Sequence, residues 1–193
     1  MYDTIIIGAG MSGLAAGIRL AYYDQSVCIL ERHTTIGGLN SFYRMNGRDY
    51  DVGLHAVTNY TPKGEKKGPL ARMLRQLRFK WEDFALSPQL GSRISFPGVS
   101  LDFDNDIRLL TAEIGDKFPG QVDNFGILLD KIVDYDDLDQ ATFEISTRQV
   151  LGDIFSDPLL IEMLLCPLMW YGNAREDDMD WGQFCIMFRT IFV

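Results

Sequence analysis

The stretch "IIIGAGMSGLAAGIRL", Ile5 to Leu20, is followed at Cys28 to Arg32 by "CILER". Three β-branched isoleucines ending in a glycine read as a short buried strand. From Gly13 onward, Leu14, Ile18, Ala21 and Tyr22 fall at helical spacing, so a helix follows directly. "SVCILE", Ser26 to Glu31, is a second apolar strand. Strand, glycine turn, helix and strand make a βαβ unit, and such a crossover implies a parallel sheet. Gly8, Gly10 and Gly13 are spaced for a phosphate cradle. Gly8 suits the tight turn and Gly10 lets a pyrophosphate reach the backbone. Gly13 lets helix and strand pack closely, and the helix amino terminus supplies N–H donors.

Glycine spacing alone recurs by chance, and an ordinary turn beside an unrelated surface acid would look similar. Here the pattern leaves a strand, opens a helix, and is followed eighteen positions after Gly13 by Glu31. A separation of about twenty is that of a carboxylate that hydrogen-bonds a ribose. An acid at this point suits a free 2′-hydroxyl and argues against NADP.

Beyond it comes "ERHTTIGGLNSFYRMNGRDYDVGLH", Glu31 to His55. Asn46-Gly47 suits both central positions of a tight hairpin turn, with Ser41–Met45 and Arg48–Val52 as its arms. The Gly37-Gly38 pair, the hairpin and Asp51-x-Gly53 together resemble the amino-terminal signature of FAD-dependent amine oxidases and phytoene desaturases. Within that group, "GGLNSFYRMNGRDYDVGLHAV" is most similar to the carotenoid isomerase and retinol saturase branch. The resemblance is specific over residues 1–60. Beyond them, "FPG" and "WYGN" are only reminiscent.

What the resemblance implies can be set out by residue. The cofactor is FAD, its pyrophosphate over Gly8, Gly10, Ser12 and Gly13, its adenosine ribose on Glu31 and its adenosine end near Arg32. Gly37 and Gly38 pass close to the pyrophosphate and ribityl chain, and Gly53 to His55 approach the flavin. Leu39 replaces a basic residue that many relatives carry, which leaves only backbone contacts there. His55 is either a residue facing the flavin or a hydrogen-bonded histidine in a turn. The fold implied is an α/β, Rossmann-like FAD-binding core. The activity implied is that of an oxidoreductase exchanging hydride between flavin and a long apolar polyene or isoprenoid. An FAD-dependent amine oxidase and a non-catalytic binder on the same fold, similar to Rab escort and GDP-dissociation-inhibitor proteins, stay open. No catalytic residue is assigned, because this chemistry needs positioning and exclusion of water more than a protein acid or base.

The composition changes after about Tyr60, so residues 1–60 are assigned to the FAD-binding part and 61–193 to a mixed, mostly helical substrate side. "TPKGEKKGP" is a loop, and "LARMLRQLRF" is a helix with arginines on its outer face. "RISFPGVSLDFD" is a second β-rich piece turning at Pro97-Gly98. "IRLLTAEIGDKF", "VDNFGILLDKIVDYDDL" and "SDPLLIEMLLCPLMWYG" are helical. Lys63, Lys66, Lys67, Arg72, Arg75, Arg78 and Lys80 form a local basic run. A solvated helix face is the commoner reading of such a run, and a peripheral membrane contact the functional one.

The 193 residues carry a formal charge of −9, which lacks the basic footprint of a nucleic-acid binder. Cys28, Cys166 and Cys185 form no CxxC pair, and with only His33 and His55 beside them no metal site is expected. His33 reads as a solvated loop residue. "DYDDLD", Asp134 to Asp139, lacks the glycine and terminal glutamate of a calcium loop. Unpaired cysteines and the lack of a leader pattern before the first strand point to a cytoplasmic, reducing compartment. The apolar run Pro158 to Tyr171 contains Glu162 and Pro167 and is too short to span a bilayer. Proteins with this signature are longer than 193 residues, and "FRTIFV" has no polar tail, so the chain is expected to be an amino-terminal fragment.

Overall fold

A computed structural model of the chain describes residues 1–53, 57, 60–136, 144–170, 173 and 175–192. The chain forms two compact units, Met1–Leu86 and Ser87–Val193.

In the first unit, β1 (Thr4–Ile7) and β2 (Val27–Leu30) lie parallel, with Thr4 opposite Val27 and Ile7 opposite Leu30. The helix between them, α1, runs Met11–Ala21, two residues earlier than its apolar periodicity suggests. The two sides of the sheet differ. Ile6 and Ile29 meet α1 at Gly13 and Gly17, where an added Cβ would come within 3.6 Å of their side chains. Ile5 and Ile7 alternate to the other face and are exposed.

β3 (Phe42–Met45) and β4 (Arg48–Asp51) pair antiparallel, and their arms match the expected ones to within a residue at each end. Asn46 and Gly47 both have positive φ, +52° and +75°, which is the twist a two-residue hairpin turn requires. Tyr43 and Tyr50 stack across the ladder with centroids 5.3 Å apart.

This unit reaches past Tyr60 to include α2 (Pro69–Leu77). Two polar contacts fasten α2 to α1. The Tyr22 hydroxyl donates to the Leu77 carbonyl at 2.6 Å, and Arg19 Nη1 donates to the Gln76 carbonyl at 2.9 Å. Leu70 and Leu74 are buried beneath α2. The composition shift near Tyr60 therefore does not mark a break in packing.

In the second unit, β5 (Ser92–Phe96) and β6 (Val99–Phe103) form a hairpin at Pro97-Gly98. Among the described residues, five α-helices follow: α3 (Ile107–Lys117), α4 (Val122–Val133), α5 (Thr147–Ile154), α6 (Pro158–Met169) and α7 (Trp181–Phe192). Three of these helix starts are marked by capping side chains, which satisfy N–H groups of the first turn. Asp106 accepts from the Arg108 N–H, Ser146 from that of Gln149, and Asp157 from those of Leu159 and Leu160. The core joins the hairpin to the helices through Leu101, Leu110, Phe125, Leu128, Leu164 and Phe188, all buried. The aromatic residues of the last helix belong to this core: Phe184, Phe188 and Phe192 follow one another with centroids 5.5 and 4.7 Å apart.

α5 is not apparent from sequence periodicity. Its start is tied to the start of α7 by the Thr147 N–H to the Met179 carbonyl (3.0 Å) and the Trp181 N–H to the Ile145 carbonyl (2.9 Å). Arg148 adds hydrogen bonds to the Asp177 carbonyl and to Glu162. No helix among the described residues is long and apolar enough to cross a membrane.

Candidate functional site

Of the expected cofactor-binding residues, Gly8, Gly10, Ser12, Gly13, Glu31, Gly37 and Gly38 come together near the amino terminus of α1. Gly8 ends β1, its N–H donating to the Leu30 carbonyl at 2.7 Å. Gly10 is the N-cap of α1 in an extended conformation, and its carbonyl accepts the Leu14 N–H at 2.9 Å. The amides of Met11, Ser12 and Gly13 therefore occupy the first turn, where an α-helix has no internal acceptors for them. No acidic residue lies in that turn, and Ser12 is exposed. The partial positive charge of the helix end is thus presented together with open N–H groups.

The three glycines are used in different ways. A Cβ on Gly13 would lie 2.1 Å from the Gly8 carbonyl oxygen, so this glycine sets how closely helix and strand approach. A Cβ on Gly10 would meet no atom within 4 Å, so the protein itself does not require the absence of a side chain there. The open space suits a group that comes against the backbone from outside.

The second glycine pair joins the first. The Gly37 N–H donates to the Ala9 carbonyl at 2.8 Å, and Gly10 and Gly37 form a parallel β-bridge. A Cβ on Gly38 would come within 3.2 Å of the Gly10 Cα. Residues some twenty-seven positions apart in the chain thereby bring side-chain-free backbone together beside the start of α1. Gly53 is close-packed as well, a Cβ there falling 2.2 Å from the Leu39 carbonyl oxygen.

Glu31 does more than the sequence shows. The Ala9 N–H donates to Oε2 and the His33 N–H to Oε1, each at 2.7 Å. These two bonds, that from His33 first, hold the carboxyl below its ordinary pKa, so it is ionised at neutral pH. One oxygen pins the glycine turn and the other pins the chain leaving β2. An ionised carboxylate offers about four acceptor positions, more than the N–H groups of His33, Ala9 and Arg32 take up, so it can still accept from a ribose hydroxyl. This clamp could have been anticipated only from the pairing of β1 with β2, which brings Ala9 beside the end of β2.

The remaining candidates are more loosely held. Arg32 is exposed, as is His33, whose Nδ1 accepts the Thr35 N–H at 3.1 Å. Leu39 is 79% exposed, so it covers nothing in this unit. His55 and the residues beside it lie outside the described residues, as do parts of "DYDDLD" and "WYGN". Among the described residues no group of three or more His, Cys, Asp or Glu side chains is placed to hold a metal ion.

Comparison with known proteins bears on this geometry. Residues 6–77 match the NAD(P)-binding Rossmann-like domain family. The chain is 38% identical over 64 residues to a prolycopene isomerase, chloroplastic, of Arabidopsis thaliana, covering 33% of this chain and 11% of that protein. It is 40% identical over 55 residues to the human all-trans-retinol 13,14-reductase, covering 28% of this chain and 9% of that protein. The matched segments thus span about a tenth of these relatives' length. Among solved structures, a putrescine oxidase redesigned in cofactor binding superposes with a TM-score of 0.61 at 18% identity, over 96% of this chain and 41% of that one. A Rab GDI from Plasmodium falciparum superposes with a TM-score of 0.50 at 12% identity, over 99% of this chain and 49% of that one. At such identities these two structures speak for the fold.

Proposed function

From its place in the superfamily of FAD-dependent amine oxidases and carotenoid isomerases, we propose that the chain binds FAD and serves an oxidoreductase acting on a long apolar polyene or isoprenoid. The observation that carries the cofactor reading is the meeting of Gly37 and Gly38 with Gly10 at the amino terminus of α1.

This arrangement fits the group. The first-turn amides of Met11, Ser12 and Gly13 would hold the pyrophosphate, with no Cβ in the way at Gly10. The remaining acceptor capacity of Glu31 would take a ribose hydroxyl, while its bonds to Ala9 and His33 keep the turn from shifting. Arg32 would stand near the adenosine end, and Gly53 and His55 toward the flavin. When bound, FAD supplies the hydride acceptor or donor. The residues named here bind and orient it, and none is assigned to move a proton. The polyene substrate class rests on resemblance alone, mainly that of "YDVGLH", Tyr50 to His55, to the carotenoid isomerase and retinol saturase branch.

The cofactor reading is tested by titrating FAD against the purified chain, following flavin fluorescence, with E31A beside it. Loss of the charge-assisted bonds to ribose should weaken binding, each such bond being worth about 1.5–3 kcal/mol. Unchanged affinity in E31A would sink the ribose assignment. The substrate reading is tested by incubation with a carotenoid, retinol and a diamine. Amine oxidation with every polyene unchanged would replace that reading by the amine oxidase one and leave FAD standing. FAD loading without turnover on any of them, both in this chain and in a version extended to the natural stop codon, would favour the non-catalytic binder.

A further inference from the structure

The basic run left unused by the cofactor site lies wholly in the first unit. Lys63, Lys66, Lys67, Arg72, Arg75, Arg78 and Lys80 are all exposed. α2 turns Leu70 and Leu74 inward, which leaves Arg72 and Arg75 on its outer side.

One acid, Glu65, falls among these cations. Its carboxylate is bent back onto the N–H groups of Lys66 and Lys67, at 2.7 and 2.9 Å. Lys63 is ion-paired with Glu82. For the other six cations no ion pair is formed among the described residues. Arg75 reaches the Lys66 carbonyl at 3.4 Å and so fastens the loop to the helix. The Arg78 guanidinium lies 4.2 Å from the centroid of the Tyr22 ring, which keeps the carboxyl end of α2 in place. Between Arg78 and Lys80, the Phe79 ring is 41% exposed.

We propose that this face, the loop of residues 63–67 with the outer side of α2 and Phe79, docks on an anionic lipid bilayer. Charge complementarity carries the assignment. Lysines and arginines left without carboxylates are attracted to an anionic surface, each adding roughly a fivefold gain in partitioning. Long flexible side chains need no fixed register to meet many separate headgroups. The half-exposed ring between two cations gains from the boundary between headgroups and acyl chains, where aromatic side chains settle. A nucleic acid would meet the same cations, and what favours the bilayer is the exposed Phe79 set between two of them. This surface is independent of the FAD reading and survives or fails without it.

The test is co-sedimentation of the full chain with vesicles of phosphatidylcholine alone and of phosphatidylcholine with phosphatidylserine. Binding should be confined to the anionic vesicles and should fall steeply as salt is raised, because the attraction is screened over about 10 Å at 0.1 M. Reversing three charges in K66E/K67E/R72E should lower partitioning at least about a hundredfold. Circular dichroism of that variant checks that it is folded, and the salt series on the unaltered chain stands apart from any mutation. Equal binding to both vesicle types, indifference to salt, or full binding by a folded K66E/K67E/R72E protein would overturn the proposal. So would capture by heparin or an acidic protein with none by anionic vesicles, which would assign the face to a polyanion in solution.

Discussion

The second unit buries its apolar side chains against one another, whereas the first leaves most of its own in the open. From Ser87 onward, Leu101, Leu110, Phe125, Leu151, Leu164, Phe188 and many others are closed off from solvent. Before it, only Ala9, Leu70 and Leu74 among the described hydrophobic residues are buried, while Ile5, Ile7, Leu30 and Leu39 are about half to nine-tenths exposed. Charge divides the same way. The first unit carries eleven Lys and Arg against eight Asp and Glu, the second seven against nineteen. The difference teaches that the two units keep their shape by different means. The second is held by a core, as most domains are. The first is held chiefly by backbone hydrogen bonds and close glycine contacts, the kind of rigidity a phosphate site requires.

The sharpest way to break this comparison is to cut the same kind of side chain from each unit. Phe188→Ala removes a fully buried ring that meets Phe125, Phe184 and Phe192 and should cost about 3–5 kcal/mol in denaturant unfolding. Ile7→Ala, at a position 88% exposed, should change stability by no more than about 0.5 kcal/mol. Similar losses at both sites would show that the first unit has a core of its own.

Next in size is a pair of glycine substitutions inside the first unit. Gly13→Ala drives a Cβ into the Gly8 carbonyl and should cost about 1–3 kcal/mol, with loss of FAD binding. Gly10→Ala meets nothing, so stability should stay within about 0.5 kcal/mol while FAD affinity falls. Thermal unfolding and flavin titration of the two variants separate scaffold from contact surface. Full FAD affinity in Gly10→Ala would remove Gly10 from the binding surface.

Smaller still is the cap on α5. Ser146→Ala removes the acceptor for the Gln149 N–H, 3.0 Å away, and should cost about 1 kcal/mol, read from the unfolding midpoint. No change would mean that the ties between Ile145, Thr147, Met179 and Trp181 set the helix start by themselves.

The smallest effect is a dependence on pH. Glu31 has a lowered pKa in the folded chain, so its contribution is present above its ordinary value and is lost as pH falls through the folded one. The midpoint gap between the unaltered chain and E31Q should therefore be full at neutral pH and close in acid. A gap that widens in acid would show the sign to be wrong.

Much of the first unit was legible because its demands are local. An apolar β-branched run, a glycine spacing and an Asn-Gly turn each constrain a few neighbouring φ and ψ angles, and these angles are what the chain adopts. Gly8, Gly10, Gly13 and Glu31 can be named as candidates from spacing, and Gly37 and Gly38 from the family resemblance. Their meeting could not be read off. The bridge from Gly10 to Gly37 and the bond from Ala9 to Glu31 join segments separated in sequence, and the parallel pairing of β1 with β2 creates both. α5 escaped notice because Gly152 and a short apolar stripe give it little propensity, while Arg148 and the start of α7 hold it from outside.

The sequence by itself determined the βαβ unit, the hairpin turns and the first glycine set with its acid, since each is a matter of local geometry and spacing. Only the tertiary structure decided that Glu31 clamps the glycine turn, that Gly37 and Gly38 meet Gly10, and that the basic residues go without ion pairs among the described residues except at Lys63. The physical reason is that burial and long-range hydrogen bonding depend on which segments meet, and that choice is made by the packing of the whole unit rather than by any one stretch of chain.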